Sequence, residues 1–316
     1  MDQAADPCDD FFQYACGTWN KKHFIPEDRS SISTFEVMND QLDLILKDLL
    51  LEPIEDNEGE ATVKAKNFFT SCMNTSEIEL AGDGPLKEVI RSLGGWPVID
   101  DDWQQPNVSI ETLIGRLRGR LNQGTLIEQW VGPDDKNSSV NVLQVDQMEL
   151  GLPDREIFLS SKSSEPPQYL PAYLKFMTDV AELMGADRGK ATTEFEKVVE
   201  LEIRLANATV PESERHDTGS NYLQLTLHEL RQQVPGINWD EYLAAFLETQ
   251  ISDDEPIVVY TMPFLKRLGE IMQTTDKRVL WNYAMWRMVM KVTPHMTQQY
   301  QSTRHEFQTV LVGVRT

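Results

Sequence analysis

Between Thr34 and Leu51 the apolar side chains fall at Phe35, Met38, Leu42, Ile45, Leu46 and Leu49. Steps of three and four residues gather them into one stripe of an α-helix. The stretch ending at Gly185 repeats the pattern with Tyr173, Phe176, Met177, Val180, Leu183 and Met184, and the glycine supplies the stop. Further helices are predicted over Glu60 to Cys72, Ile110 to Leu121, Thr192 to Ala206 and Trp239 to Leu247. A long one runs from Lys277 to Val310, and Pro294 must kink or divide it, because proline lacks the helical N–H and clashes with the preceding turn. Near the start, Pro7 with Asp9 and Asp10 reads as a helix beginning and Gly17 as its end. Strand signals are few. Leu126 to Val131 and Val140 to Val145 flank the turn-rich GPDDKNSS and read as a hairpin, with Ile257 to Tyr260 as a third candidate. There is no internal repeat and no long Pro/Gly/Ser linker; Glu52 to Glu60 and Ser160 to Pro167 are the hinge-like stretches. The pattern predicts a mainly α fold with a small β-hairpin.

Composition changes this picture in one respect, the surface. Of 316 residues, 40% are hydrophobic, enough for a core and too many for a disordered chain. Against 29 basic residues stand 51 acidic ones, a formal charge of -22 that repels nucleic acid and anionic lipid. No apolar run reaches the roughly 18 residues that span a bilayer, and MDQAADP carries neither the basic nor the apolar part of a secretory signal. Four glycosylation sequons nevertheless stand in polar contexts, at Asn74, Asn107, Asn137 and Asn207. With the odd count of three cysteines, they lean towards an extracellular-type fold.

The search for catalytic chemistry finds no site. His228-Glu229 in LTLHELRQQ suggests a zinc helix, but that helix needs a second histidine one turn on, and position 232 is Gln. An ordinary amphipathic turn with a solvent-facing His228 is the reading its spacing supports. His23, His216, His295 and His305 come in no ligand spacing. Asp100-Asp101-Asp102 reads as a solvated loop, since calcium loops spread their ligands over about 12 residues. No nucleophile elbow, phosphate loop or dinucleotide fingerprint is present. The cysteines say more. On the predicted first helix Cys8 and Cys16 lie about 12 Å apart, at about 1.5 Å per residue, too far for a bridge that needs Cα atoms within about 7 Å. Cys8, Cys16 and Cys72 are therefore either buried thiols or half-cystines with partners outside the chain, and the sequons favour the second.

DPCDDFFQYACGTW, which contains the first two cysteines, resembles the opening of the neprilysin and endothelin-converting-enzyme family of zinc metallopeptidases. The resemblance continues in order through NKKHFIPEDRSSISTFEVMND, KAKNFFTSCMN, LGGWPV, GPDDKNSSVNVLQVDQMELGLPDRE, LEIRLANAT, EPIVVY and NYAMWRMVMK, with LGGWPV and EPIVVY nearer the endothelin-converting enzymes. It implies a type II membrane protein whose two-lobed, mainly helical ectodomain faces the cell exterior or is secreted. The HExxH zinc helix of such a protein lies downstream of the region matched. Residues 1–35 are then a segment that packs with the catalytic lobe, and residues 36–316 are mostly the helical lid lobe that restricts substrates to small peptides.

Zinc is expected in the full-length enzyme and not on this chain, which by itself is expected to be inactive. The resemblance also pairs Cys8, Cys16 and Cys72 with cysteines of the catalytic lobe. Each such bridge closes a long loop and contributes about 4 kcal/mol in the chain-entropy model. It places Phe35 in the primed-side specificity pocket, with Glu36 as its acidic neighbour. The arginine that grips a substrate carboxylate in neprilysin falls at Ser31, leaving Arg29 as the substitute, and a second neprilysin arginine falls at Asn39. These departures favour an endopeptidase over a carboxydipeptidase. The rival expectation is a non-catalytic module that binds peptides or proteins; a weaker one is a chain bridged to a separately encoded catalytic lobe.

Overall fold

The computed structural model describes residues 1–26, 29, 31–160, 168–216 and 218–313. The chain forms two compact units, Met1–Leu80 with Arg304–Thr316, and Ala81–Thr303. Most of the hinge-like stretch from Ser160 to Pro167 lies outside the described residues.

The first unit holds α1 (Phe11–Lys22), α2 (Thr34–Leu51), α3 (Glu60–Met73) and nearly all of α4 (Thr75–Ala81). Asp10 starts α1 by accepting the Gln13 N–H at 2.8 Å, a side-chain cap for a donor the helix cannot satisfy itself. The helix does not stop at Gly17 as expected. Gly17 is buried within α1, where an added Cβ would lie 2.3 Å from Gln13 Nε2 and 3.1 Å from Asp2 Cβ. Its missing side chain permits close packing rather than a chain reversal. Cys8 precedes α1, so the expected axial spacing of Cys8 and Cys16 along one helix does not apply. Ser33 caps α2 through the Glu36 N–H at 3.2 Å. On α3 the buried Lys66 donates to the Pro53 carbonyl at 3.1 Å and pairs with Glu58, which pins the acidic stretch before the helix.

The second unit contains α5 (Gly84–Ser92), α6 (Ile110–Leu121), β1 (Ile127–Pro133), β2 (Asn141–Gln147), α7 (Arg155–Leu159), α8 (Tyr169–Leu183) and α9 (Arg188–Ala208). It continues through α10 (Thr218–Asn221), β3 (Leu223–Thr226), α11 (Leu227–Gln233), α12 (Trp239–Leu247), β4 (Pro256–Val259), α13 (Met262–Thr274) and α14 (Lys277–Val292). Helix α15 (Gln298–Val312) spans the division, and Pro294 sits in the short 3-10 turn that separates it from α14. The expected hairpin is half of a four-stranded sheet ordered β1-β2-β4-β3. Strands β1 and β2 are antiparallel, β2 and β4 parallel, and β3 pairs antiparallel with β4.

Helix α14 is buried all round from Val279 to Met288 and Val289, as expected of a helix at the centre of a large core. Trp286 meets Phe176 at 5.2 Å, Phe195 at 5.8 Å and Tyr173 at 6.0 Å between ring centroids. These edge-to-face and tilted contacts add to the area they bury. Helices α6 and α12 approach closely across two glycines. A Cβ on Gly115 would stand 2.5 Å from the Tyr242 carbonyl oxygen, and one on Gly119 2.6 Å from that of Phe246.

Candidate functional site

The three candidate substrate residues gather around the start of α2. Glu36 and Asp40 are one helical turn apart and so share a face. Arg29 reaches Asp40 with both arms of its guanidinium, Nη1 to Oδ2 at 2.9 Å and Nη2 to Oδ1 at 2.7 Å. That fork holds the Asp40 carboxyl below its ordinary range. Arg29 thus carries an internal carboxylate, which any external carboxylate would have to displace. Glu36 accepts a long hydrogen bond from Ser31 Oγ at 3.4 Å, while its Oε2 is shielded from solvent without a partner among the described residues. Phe35 is 78% exposed. So is the whole predicted stripe that follows it: Met38, Leu42, Ile45, Leu46 and Leu49 keep 45 to 58% of their surface in solvent. None of the side chains of α2 is buried.

The HE pair has a structural use. Thr226 caps α11 by accepting the Glu229 N–H at 3.2 Å, and the Glu229 carboxylate reaches back to the Thr226 N–H at 2.8 Å. This capping box holds the Glu229 carboxyl below its ordinary range through the backbone and hydroxyl of Thr226. His228 is exposed, with Nε2 2.9 Å from Gln232 Nε2, the position a second zinc histidine would occupy. Among the described residues no group of three or more His, Cys, Asp or Glu is placed to hold a metal ion. The described residues therefore offer no ligand set that fits a catalytic zinc.

Cys8 and Cys72 are exposed, Cys16 is half-buried, and all three are free thiols. Asn74, Asn107, Asn137 and Asn207 are exposed. In the last sequon the Thr209 hydroxyl is buried and donates to the Ala206 carbonyl at 2.7 Å.

One polar cluster escaped sequence reading. Glu202 lies fully buried on α9, where its Oε1 accepts the Gly151 N–H at 2.8 Å, and Oε2 has no hydrogen-bond partner within normal reach among the described residues. Burial pushes its carboxyl up, against the pull of Arg287, the Gly151 N–H and the Tyr173 hydroxyl. Arg287 donates to the Glu149 carbonyl at 2.6 Å and to the Tyr283 hydroxyl at 3.0 Å, while Trp286 Nε1 donates to the Tyr173 hydroxyl at 2.7 Å. The signal was present: Val198, Leu201, Glu202 and Leu205 share one helical face, and a charge on an apolar face calls for a partner.

Residues 7–316 match the family model described as peptidase family M13. The chain belongs to peptidase family M13. Over 327 residues it is 36% identical to membrane metallo-endopeptidase-like 1 of Mus musculus, covering 99% of this chain and 42% of that protein. Over 317 residues it is 35% identical to endothelin-converting enzyme 1 of Rattus norvegicus, covering 100% of this chain and 41% of that protein. The chain therefore spans about two fifths of the curated M13 relatives it matches. The inhibitor complex of the Mycobacterium tuberculosis zinc metalloprotease ZMP1 shares its fold, with a TM-score of 0.83 at 21% identity over 100% of this chain and 47% of that one.

Proposed function

We propose that the chain is the N-terminal region of an M13 zinc metalloendopeptidase that processes or degrades small extracellular peptides, and that alone it neither holds catalytic zinc nor cleaves peptides. The observation that carries this reading is the apolar surface of the first unit, in a chain that spans two fifths of its relatives. Phe11, Phe12, Phe24, Phe35, Phe68 and the α2 stripe are all exposed there, while the buried hydrophobic residues run from Leu86 to Tyr300 in the second unit, with Phe307 added from the first. An apolar surface of that extent marks a contact face.

On this reading the face packs against the zinc-bearing lobe. Residues 1–35 belong to that packing, and residues 36–316 supply most of the helical cover over the active site. Cys8, Cys16 and Cys72 pair with cysteines of the same lobe, and the exposed asparagines are glycosylated on an ectodomain anchored as a type II membrane protein or secreted. Phe35 and Glu36 line the primed side of the substrate cleft, and Arg29 trades Asp40 for a substrate carboxylate. The test is hydrolysis of a fluorogenic peptide by the pure chain with and without added zinc. No turnover is expected in either case, and zinc-dependent turnover would overturn the reading.

A second reading, a non-catalytic peptide- or protein-binding module, draws support from the complete core of the second unit. Stable monomers with three accessible thiols favour the module, and aggregation through mixed disulfides favours the peptidase region.

A further inference from the structure

The second unit carries a half-open cavity of about 650 Å³, within the range of small-molecule sites, between the segment from Gln147 to Glu156 and the segment from Thr209 to Arg215. These walls are fastened to one another without a ligand. The Gln147 side chain donates to the Val210 carbonyl at 3.1 Å and accepts the Val210 N–H at 2.8 Å, and Arg215 is paired with Asp146. From behind, Arg287 holds the Glu149 carbonyl and Glu202 holds the Gly151 N–H. A cavity braced in this way meets a ligand with little reorganisation.

Arg155 lines it with a guanidinium whose Nε has no hydrogen-bond partner among the described residues. The side chain is 19% exposed, and Nε is shielded from solvent. Among the described residues its one carboxylate within ion-pair reach, Glu156 Oε1, stands 3.9 Å from Nε on a side chain that is 68% exposed. A guanidinium offers a planar fork of donors that matches a carboxylate, and leaving a donor such as Nε shielded from solvent without an acceptor is costly. The remaining lining decides which anion is suited. Glu149, Asp154, Glu156 and Glu212 outnumber Arg155 and Arg215, and Arg215 already serves Asp146. Their field repels a compact dianion and attracts a ligand with a cationic group a few ångströms from its carboxylate.

We propose that this cavity is a binding site for a zwitterionic amino acid or short peptide, with its carboxylate on Arg155 and its ammonium group towards the surrounding acidic side chains. Such a site is independent of whether the chain belongs to a peptide-cleaving assembly. Calorimetric titration of the full chain with the dipeptide Ala-Ala tests it, alongside Ala-Ala amide, N-acetyl-Ala-Ala and sodium phosphate. Ala-Ala is expected to bind saturably. Its amide and its acetylated form should each bind at least about tenfold more weakly, since each loses one charged contact, and phosphate should not compete. Arg155→Ala should abolish binding and Arg155→Lys retain part of it, with thermal melts confirming that both variants fold. Absence of saturable Ala-Ala binding, equal binding of the amide, or competition by phosphate overturns the assignment, and these outcomes need no variant.

Discussion

Replacing Leu42 by alanine removes three carbons from a side chain that α2 leaves 51% exposed, whereas Leu268→Ala removes the same atoms from a side chain of α13 that is 0% exposed. At about 0.8 kcal/mol per buried CH₂, half of the Leu42 group is worth about 1 kcal/mol, and no cavity is left behind. Leu268 loses the full transfer energy and leaves a hole, for a total of about 2–5 kcal/mol. Urea unfolding followed by far-UV circular dichroism measures both, with hydrogen exchange assigning each transition to its unit, because the two substitutions lie in different units. A loss of about 3 kcal/mol or more for Leu42→Ala would refute the reasoning, since it would mean that α2 is packed within the chain. In a polypeptide that also carries the zinc-bearing lobe, the Leu42→Ala cost should rise towards that of Leu268→Ala as the stripe becomes covered.

Gly115→Ala should destabilise by up to about 2 kcal/mol net, the clash with the Tyr242 carbonyl at 2.5 Å costing about 1–3 kcal/mol and the gained helix propensity returning about 1 kcal/mol; a raised melting temperature contradicts this. The raised carboxyl of Glu202 means that the folded state binds its proton more tightly than the unfolded state does. Stability from this group is therefore present below the ordinary glutamate range and is lost as pH rises through the raised folded value. Glu202→Gln should flatten that part of the stability–pH curve, and identical slopes in variant and parent would count against it. Thr226→Ala should cost about 1 kcal/mol by opening the capping box, as read by thermal unfolding, and His228→Ala should leave zinc retention in equilibrium dialysis unchanged.

Where period and boundary chemistry agree, the sequence was readable to the residue. Helices α2, α6 and α12 span the residues expected of them, and the structure shows Ser33, Ser109 and Asn238 capping their starts. Pro294 divides the last long helix for the steric reason that proline always imposes. Helix α13 was missed although Phe264, Leu265, Leu268, Ile271 and Met272 carry the pattern behind Pro263 at the first turn. Strand β3 was missed because LQLT is too short to show alternation, and it exists through pairing with β4. Gly17 misled because a glycine that stops a helix and a glycine that admits a neighbour look alike in one sequence.

For the candidate site, the family resemblance singled out Phe35, Glu36 and Arg29, but the capture of Arg29 by Asp40 is a matter of side-chain geometry. Nor does periodicity reveal whether an apolar stripe is covered: those of α2 and α8 read alike, and only the second supplies the core. The cavity around Arg155 joins segments distant in the chain and has no local signature.

The central claim is that these residues serve an M13 peptidase without containing its zinc chemistry. Reading the transcript beyond the codon for Thr316 tests it most directly. The account predicts an open frame leading into an HExxH segment and cysteines to pair with Cys8, Cys16 and Cys72. A stop codon directly after Thr316 would contradict it.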